Sequence, residues 1–339
     1  MNKRISTFDY IKGLMIFIII ITHINFLPQE RLDLLFPFYI DMAVPVFMII
    51  SGYLSSLSLS KRNCESAYSL DYLIKRALRF TVPLIIAIFI EYAAKITPFV
   101  NIKSAIVFII KGGIGPGTYY YPIMMQFILF FPILYLIIKN NHWGGFIFCG
   151  LINLVFEVWC VIYKIDPEIY RVCILRYTFV IACGIFFYFE EKNFKKNLKT
   201  FIILLLSGVI GFAYIFITSY TQYRERIFVN WTTTSMMTTF WIFPLFFILY
   251  KALGKLPPSK LQVIGKASYH IFLTQMVYYC TIIPYRISSA VPSVWIFAAI
   301  NIIICVAFGC VFYYFEYFIT SRIISYTQKQ FKKISGSSK

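Results

Sequence analysis

Charge is scarce in this chain. Asp, Glu, Lys and Arg make up 14% of its 339 residues, against about 25% in an average soluble protein. Hydrophobic residues reach 60% and mean hydropathy is +0.75, which excludes an ordinary soluble domain. Acids are scarcer than bases, 14 against 32, and there are 3 His. Scattered histidines without an acidic triplet give no metal-ligand pattern. Eight Cys occur without a Cys-x-x-Cys pair, so neither a disulfide framework nor a zinc site is indicated. Most Cys fall in or beside apolar segments, where a thiol acts as a small packing residue, whereas Cys64 sits in a loop. The N-terminus lacks a small-x-small cleavage site before Pro28 and reads as a retained first span.

What the chain has is long apolar runs. They predict helices near 10–27, 35–57, 81–98, 118–138, 145–163, 173–190, 200–219, 231–250, 262–283 and 293–320, an all-α polytopic membrane protein of about ten spans. The stretch 102–110 is too short to cross and is expected at an interface or in a re-entrant segment. The net charge of +18 raises the question of a nucleic-acid partner, and its distribution answers it. With a cytoplasmic N-terminus, 22 of the 32 Lys and Arg fall on the inner side. This is the positive-inside pattern, with both termini cytoplasmic and basic loops against lipid headgroups, and no nucleic acid is implied. The segment 323–339 is a basic cytoplasmic tail, and disorder is expected over 328–339.

Inside the first run, eleven positions separate Lys12 from His23. Eleven helical steps return to within roughly 20° of the same face, about 16 Å along the axis. Ionisable groups in hydrocarbon are costly and mark functional paths. His23 can take a proton from a hydroxyl or carry an acyl group, or it can tie its helix to a neighbour. Asp41 either polarises His23, pairs with Lys12, or sits hydrated near Asp33 at the outer mouth. Arg76 and Arg79, three apart on one helix face, suit a phosphate-bearing anion, or serve as inner-side anchors beside Lys75. Ser51 and Gly52 permit close helix approach. Tyr119, Tyr120 and Tyr121 form an interfacial aromatic belt or a sugar-stacking platform. His270 is expected in a helix contact and His142 facing solvent in a short loop. Glu91, Glu157 and Glu316 fall within predicted spans, and spacing alone does not assign them.

Five blocks in order carry a resemblance to a known family. They are Asp9-x-x-Lys12-Gly13 with His23; Pro45 through Ser51-Gly52-Tyr53-Leu54; Lys75-Arg76-x-x-Arg79 before Pro83; Gly115-Pro116-Gly117-Thr118-Tyr119-Tyr120-Tyr121-Pro122 with Gln126; and Gly265-Lys266-Ala267-Ser268-Tyr269-His270. Together they resemble the acyltransferase-3 family of integral-membrane O-acyltransferases, with an acyltransferase-like domain over 1–322. The resemblance implies transfer of an acyl group, most often acetyl from acetyl-CoA, to a hydroxyl of a cell-surface or lipid-linked glycan at the cell membrane. It implies His23 as a catalytic residue, and Lys12, Arg76 and Arg79 on the acyl-CoA; Asp41, from its place in the second apolar run, is the candidate catalytic partner of His23. Tyr120, Tyr121 and Gln126 are the candidates for the acceptor. Many relatives have His where this chain has Gln275, an amide that hydrogen-bonds but does not titrate. A polysaccharide exporter or flippase component is the alternative. Short outer loops leave acceptor selection to span ends and to pieces such as 112–121 and 219–230.

Overall fold

A computed structural model describes residues 3–62, 68–94, 96, 102–196, 198–221 and 235–336, without side chains at 3–5, 102, 195–196 and 328–336. Cys64 and most of the 219–230 segment lie outside the described residues, as do 231–234 of a predicted span and 337–339 of the tail. The described chain is helical, in the order α1 (Lys3–Thr22), α2 (Pro28–Asp33), α3 (Phe36–Tyr39), α4 (Ala43–Leu59), α5 (Leu70–Ala93), α6 (Ile102–Lys111), α7 (Tyr120–Asn140) and α8 (His142–Ile162). There follow α9 (Pro167–Val172), a 3₁₀ turn (Ile174–Tyr177), α10 (Thr178–Lys196), α11 (Leu198–Tyr220), α12 (Met236–Leu253), α13 (Lys260–Lys266), α14 (Ser268–Tyr279), α15 (Ile283–Ala290) and α16 (Val294–Gly336).

Six described helical stretches are long and apolar enough to cross a membrane: 36–59, 120–140, 142–162, 198–220, 236–253 and 294–327. The expected ten include elements that do not meet that standard. The helix α5 carries Asp71, Lys75, Arg76, Arg79 and Glu91, and α10 carries Glu190, Glu191 and Lys192. The predicted 262–283 span breaks at Ala267 into α13 and a 12-residue α14. At the other end of the chain, α16 stays helical through Gly336, into the stretch read as a polar tail.

The chain divides into two compact units, Met1–Arg62 with Phe130–Gly265, and Asn63–Leu129 with Lys266–Lys339. In the first, α10 packs against α4 and α8, α11 against α12, and α1 against α4 and α12. A Cβ on Gly184 would stand 2.0 Å from the Ile49 carbonyl oxygen, and one on Gly52 2.5 Å from that of Ile181. Only glycine permits this α4–α10 contact, so the Gly52 of the second sequence block is a packing device. Around it Phe187 meets Phe194, Phe243, Phe246, Phe247 and Tyr250 with ring centroids 5.1–6.4 Å apart. In the second unit, α14 packs on α16, and both pack on α5.

Candidate active site

In the first unit, α1 ends at Thr22. The Thr22 hydroxyl donates to the Ile19 carbonyl at 2.6 Å. His23 sits one residue beyond, in a turn closed by its own N–H on the Ile20 carbonyl at 3.3 Å. The helix that carries Lys12 thus ends one residue before His23, which sits in its closing turn. The His23 side chain is half-buried, and the positive charge of Arg31 acts on it.

Arg31 was not singled out from sequence, yet it organises this end of the unit. Its Nη2 donates to Asp41 Oδ1 at 3.1 Å, with side chains 32% and 17% exposed. The guanidinium lies 5.6 Å from the Phe36 ring centroid. Asp41 thus pairs neither with Lys12 nor stands simply hydrated beside Asp33; its partner is Arg31. The chain reverses between them at Leu35, whose φ of 57° is left-handed. Two bonds hold α2 and α3 in place: the Tyr220 hydroxyl donates to the Leu32 carbonyl and Trp241 Nε1 to the Phe38 carbonyl, both at 2.7 Å.

Lys12 lies further back along α1, its ammonium 2.7 Å from Asp9 Oδ1. Asp9 is buried, and a Cβ on Gly265 would fall 1.7 Å from its carbonyl oxygen. Gly13 is equally tight against the Leu261 carbonyl at 2.5 Å. The first and last sequence blocks therefore meet, α13 lying directly on α1. The Tyr10 hydroxyl adds a bond to the Pro257 carbonyl.

The first unit also holds acids that spacing left unassigned. Glu157 is fully buried, and its Oε1 accepts from Met236 N–H at 2.8 Å, Asn153 Nδ2 at 3.1 Å and the Tyr170 hydroxyl at 3.4 Å. Buried Arg176, whose charge acts on Glu157, lies 4.5 Å from the Tyr170 ring centroid and 5.2 Å from that of Tyr177. Glu191 accepts from the Tyr53 and Tyr250 hydroxyls, each at 2.8 Å. His142 opens α8 with its side chain 36% exposed, its Nδ1 2.5 Å from Glu190 and its ring stacked on Phe189.

In the second unit, Arg76 is half-buried with its guanidinium 4.9 Å from the Tyr72 ring centroid, Lys75 is half-buried and Arg79 is exposed. The Tyr121 and Thr81 hydroxyls are 2.9 Å apart. Tyr120 packs on Tyr269 and Phe272, with centroids 6.4 and 5.5 Å away. Gln126 Nε2 donates to the Pro122 carbonyl at 3.2 Å. These three polar side chains are engaged inside the unit. His270 makes the helix contact expected of it, Nε2 standing 2.7 Å from Glu316 Oε2 across the α14–α16 packing. No group of three or more His, Cys, Asp or Glu is placed to hold a metal among the described residues.

No curated protein and no solved structure matches the chain. A family model described as an acyltransferase domain matches residues 5–315, from the turn before Asp9 to the residue before Glu316. With nearly the whole chain matched, the Asp9–Lys12 pair midway along the first helix and His23 just past its end, this protein belongs to the acyltransferase-3 family and is a membrane acyltransferase.

Proposed function

We propose that the protein is a multi-pass O-acyltransferase of the cell membrane, with about ten crossings and both termini cytoplasmic. It moves an acyl group, acetyl, from cytoplasmic acyl-CoA to a hydroxyl of a cell-surface or lipid-linked glycan. The family match over residues 5–315 carries this reading. The inner-side excess of Lys and Arg supports the orientation.

Arg76 and Arg79 recognise the donor's phosphates, for which guanidinium geometry is suited. Lys12, held by Asp9, adds positive charge on the cytoplasmic half of α1. His23 takes the proton of the attacking hydroxyl as its oxygen bonds to the thioester carbonyl carbon. The carbon–sulfur bond then breaks and the thiolate leaves, taking up the proton as free CoA thiol. In the second route the imidazole attacks the thioester carbon, the carbon–sulfur bond breaks and the thiolate leaves with the imidazole's proton as CoA thiol. The acyl-imidazole then passes the acyl group to the hydroxyl, whose proton returns to the freed imidazole. Asp41 acts through Arg31, which fixes the positive charge beside His23. Tyr120, Tyr121 and Gln126 are the side chains proposed to contact the acceptor.

Replacing His23 with Ala, with acyl transfer measured in membranes against protein abundance, is expected to lower the rate by about 100-fold or more. Full activity at normal abundance would refute the role. Mass spectrometry after acyl-CoA alone separates the routes, an adduct on His23 marking the covalent one.

A further inference from the structure

Gln275 is fully buried on α14, and neither its Nε2 nor its Oε1 has a hydrogen-bond partner among the described residues. Buried amides are ordinarily satisfied, and leaving both ends bare is costly. His270 and Asn301 differ from it, each engaging one polar atom across the α14–α16 contact, with Glu316 and the Tyr278 hydroxyl.

Helical phase shows where Gln275 points. On α14, Ile271 lies against Gly309 of α16, whereas Tyr269 donates to the Phe80 carbonyl of α5 and Phe272 abuts Gly117. Gln275 stands about 40° from Ile271 and about 60° from Phe272, so it aims between the α16 and α5 sides. All three helices belong to the second unit and pack on one another.

Depth is fixed the same way. Tyr269 is level with Phe80, one residue past Arg79. Further along, positions beside Gly113 bring Met276 level with Glu91, so α5 and α14 run in parallel. Gln275 therefore lies about 9 Å, six residues, deeper than the level of Phe80, which follows Arg79. Arg76 shares the core-facing stripe of α5 with buried Pro83, Ala87 and Glu91, at spacings of seven, four and four. One seam thus presents cations at its entrance and a neutral, two-sided hydrogen-bonding group further in.

We propose that Gln275 binds an amide of the pantetheine arm of the acyl-CoA, in the seam of α5, α14 and α16. An acyl-CoA carries its phosphates at one end, amides along the arm and the thioester beyond, the same order as the seam. Oε1 accepts from an arm N–H while Nε2 donates to an arm carbonyl. The inference rests on the acyl-CoA reading above.

The test uses the purified full chain and two probes, CoA and adenosine bisphosphate, which is the same head group without the arm. Gln275→Met is expected to weaken CoA binding about tenfold and leave adenosine bisphosphate binding unchanged. It is also expected to raise the melting temperature of the ligand-free protein, because an unsatisfied amide is gone; a merely structural glutamine would lower it. Equal CoA affinity in the two proteins overturns the proposal, and so does an equal loss for both probes with a lower melting temperature. A wild-type protein that binds neither probe overturns the acyl-CoA reading itself.

Discussion

Arg31 and Asp41 illustrate how one ion pair can act on the electrostatics of a candidate catalytic residue. The carboxylate takes a direct bond from the guanidinium at 3.1 Å, and that same cation acts on His23. Removing either partner strands the other in a half-buried place, where a lone charge is less well solvated. Arg31→Gln and Asp41→Asn are each expected to lower activity, and the double variant to be no worse than the poorer single one. Both side chains keep some exposure, so a thermal-unfolding cycle should give a coupling of about 1 kcal/mol at most. Additive losses would separate the two residues. The chemistry-bearing types at this end were legible in the sequence: His23 and Asp41 stand out because ionisable groups in apolar runs are rare. Arg31 did not stand out, because it falls in a polar stretch between two runs. Its pairing with Asp41 depends on the left-handed turn at Leu35, which no spacing rule announces for a leucine.

Elements explain why short motifs recur where they do. The Asp9-x-x-Lys12-Gly13 block and Gly265 lie far apart in sequence, yet the backbones of α1 and α13 approach so closely that only glycine fits. The α4–α10 contact at Gly52 and Gly184 is built in the same way. Gly184→Ala would push a methyl into the Ile49 carbonyl and is expected to destabilise by about 1–3 kcal/mol, read as a lower melting temperature. Gly208→Ala is the contrasting case, since its Cβ would meet Pro244 at an ordinary 3.5 Å. That variant should melt at or above the wild-type temperature. A drop of equal size in both would discard the close-approach argument. The long helices were readable from hydropathy, as α7, α8, α11 and α12 show. Less readable were the ends and breaks. The split at Ala267 follows from packing of α13 on α1, and the 3₁₀ turn before α10 places Arg176 between two tyrosine rings. Both are tertiary effects, invisible to a window that sums hydropathy.

At the scale of the whole molecule, hydropathy and charge carry different information. Hydropathy picks out six long apolar stretches among the described residues, and passes over α5 and α10 because their apolar turns share a helix with charged ones. Charge adds what length cannot: with α5 and α10 both counted as crossings, 22 of the 32 basic residues fall on the inner side. Dropping any one of them would exchange the sides of every later loop and scatter the excess. Reporter fusions decide the matter. A fluorescent protein joined after Arg62 or Lys199 should be bright, and alkaline phosphatase joined after Lys164 should be active, because the proposed ten-crossing topology puts those loops inside, inside and outside. Active phosphatase after Lys199 would remove α10 from the crossings and reverse the loops beyond it.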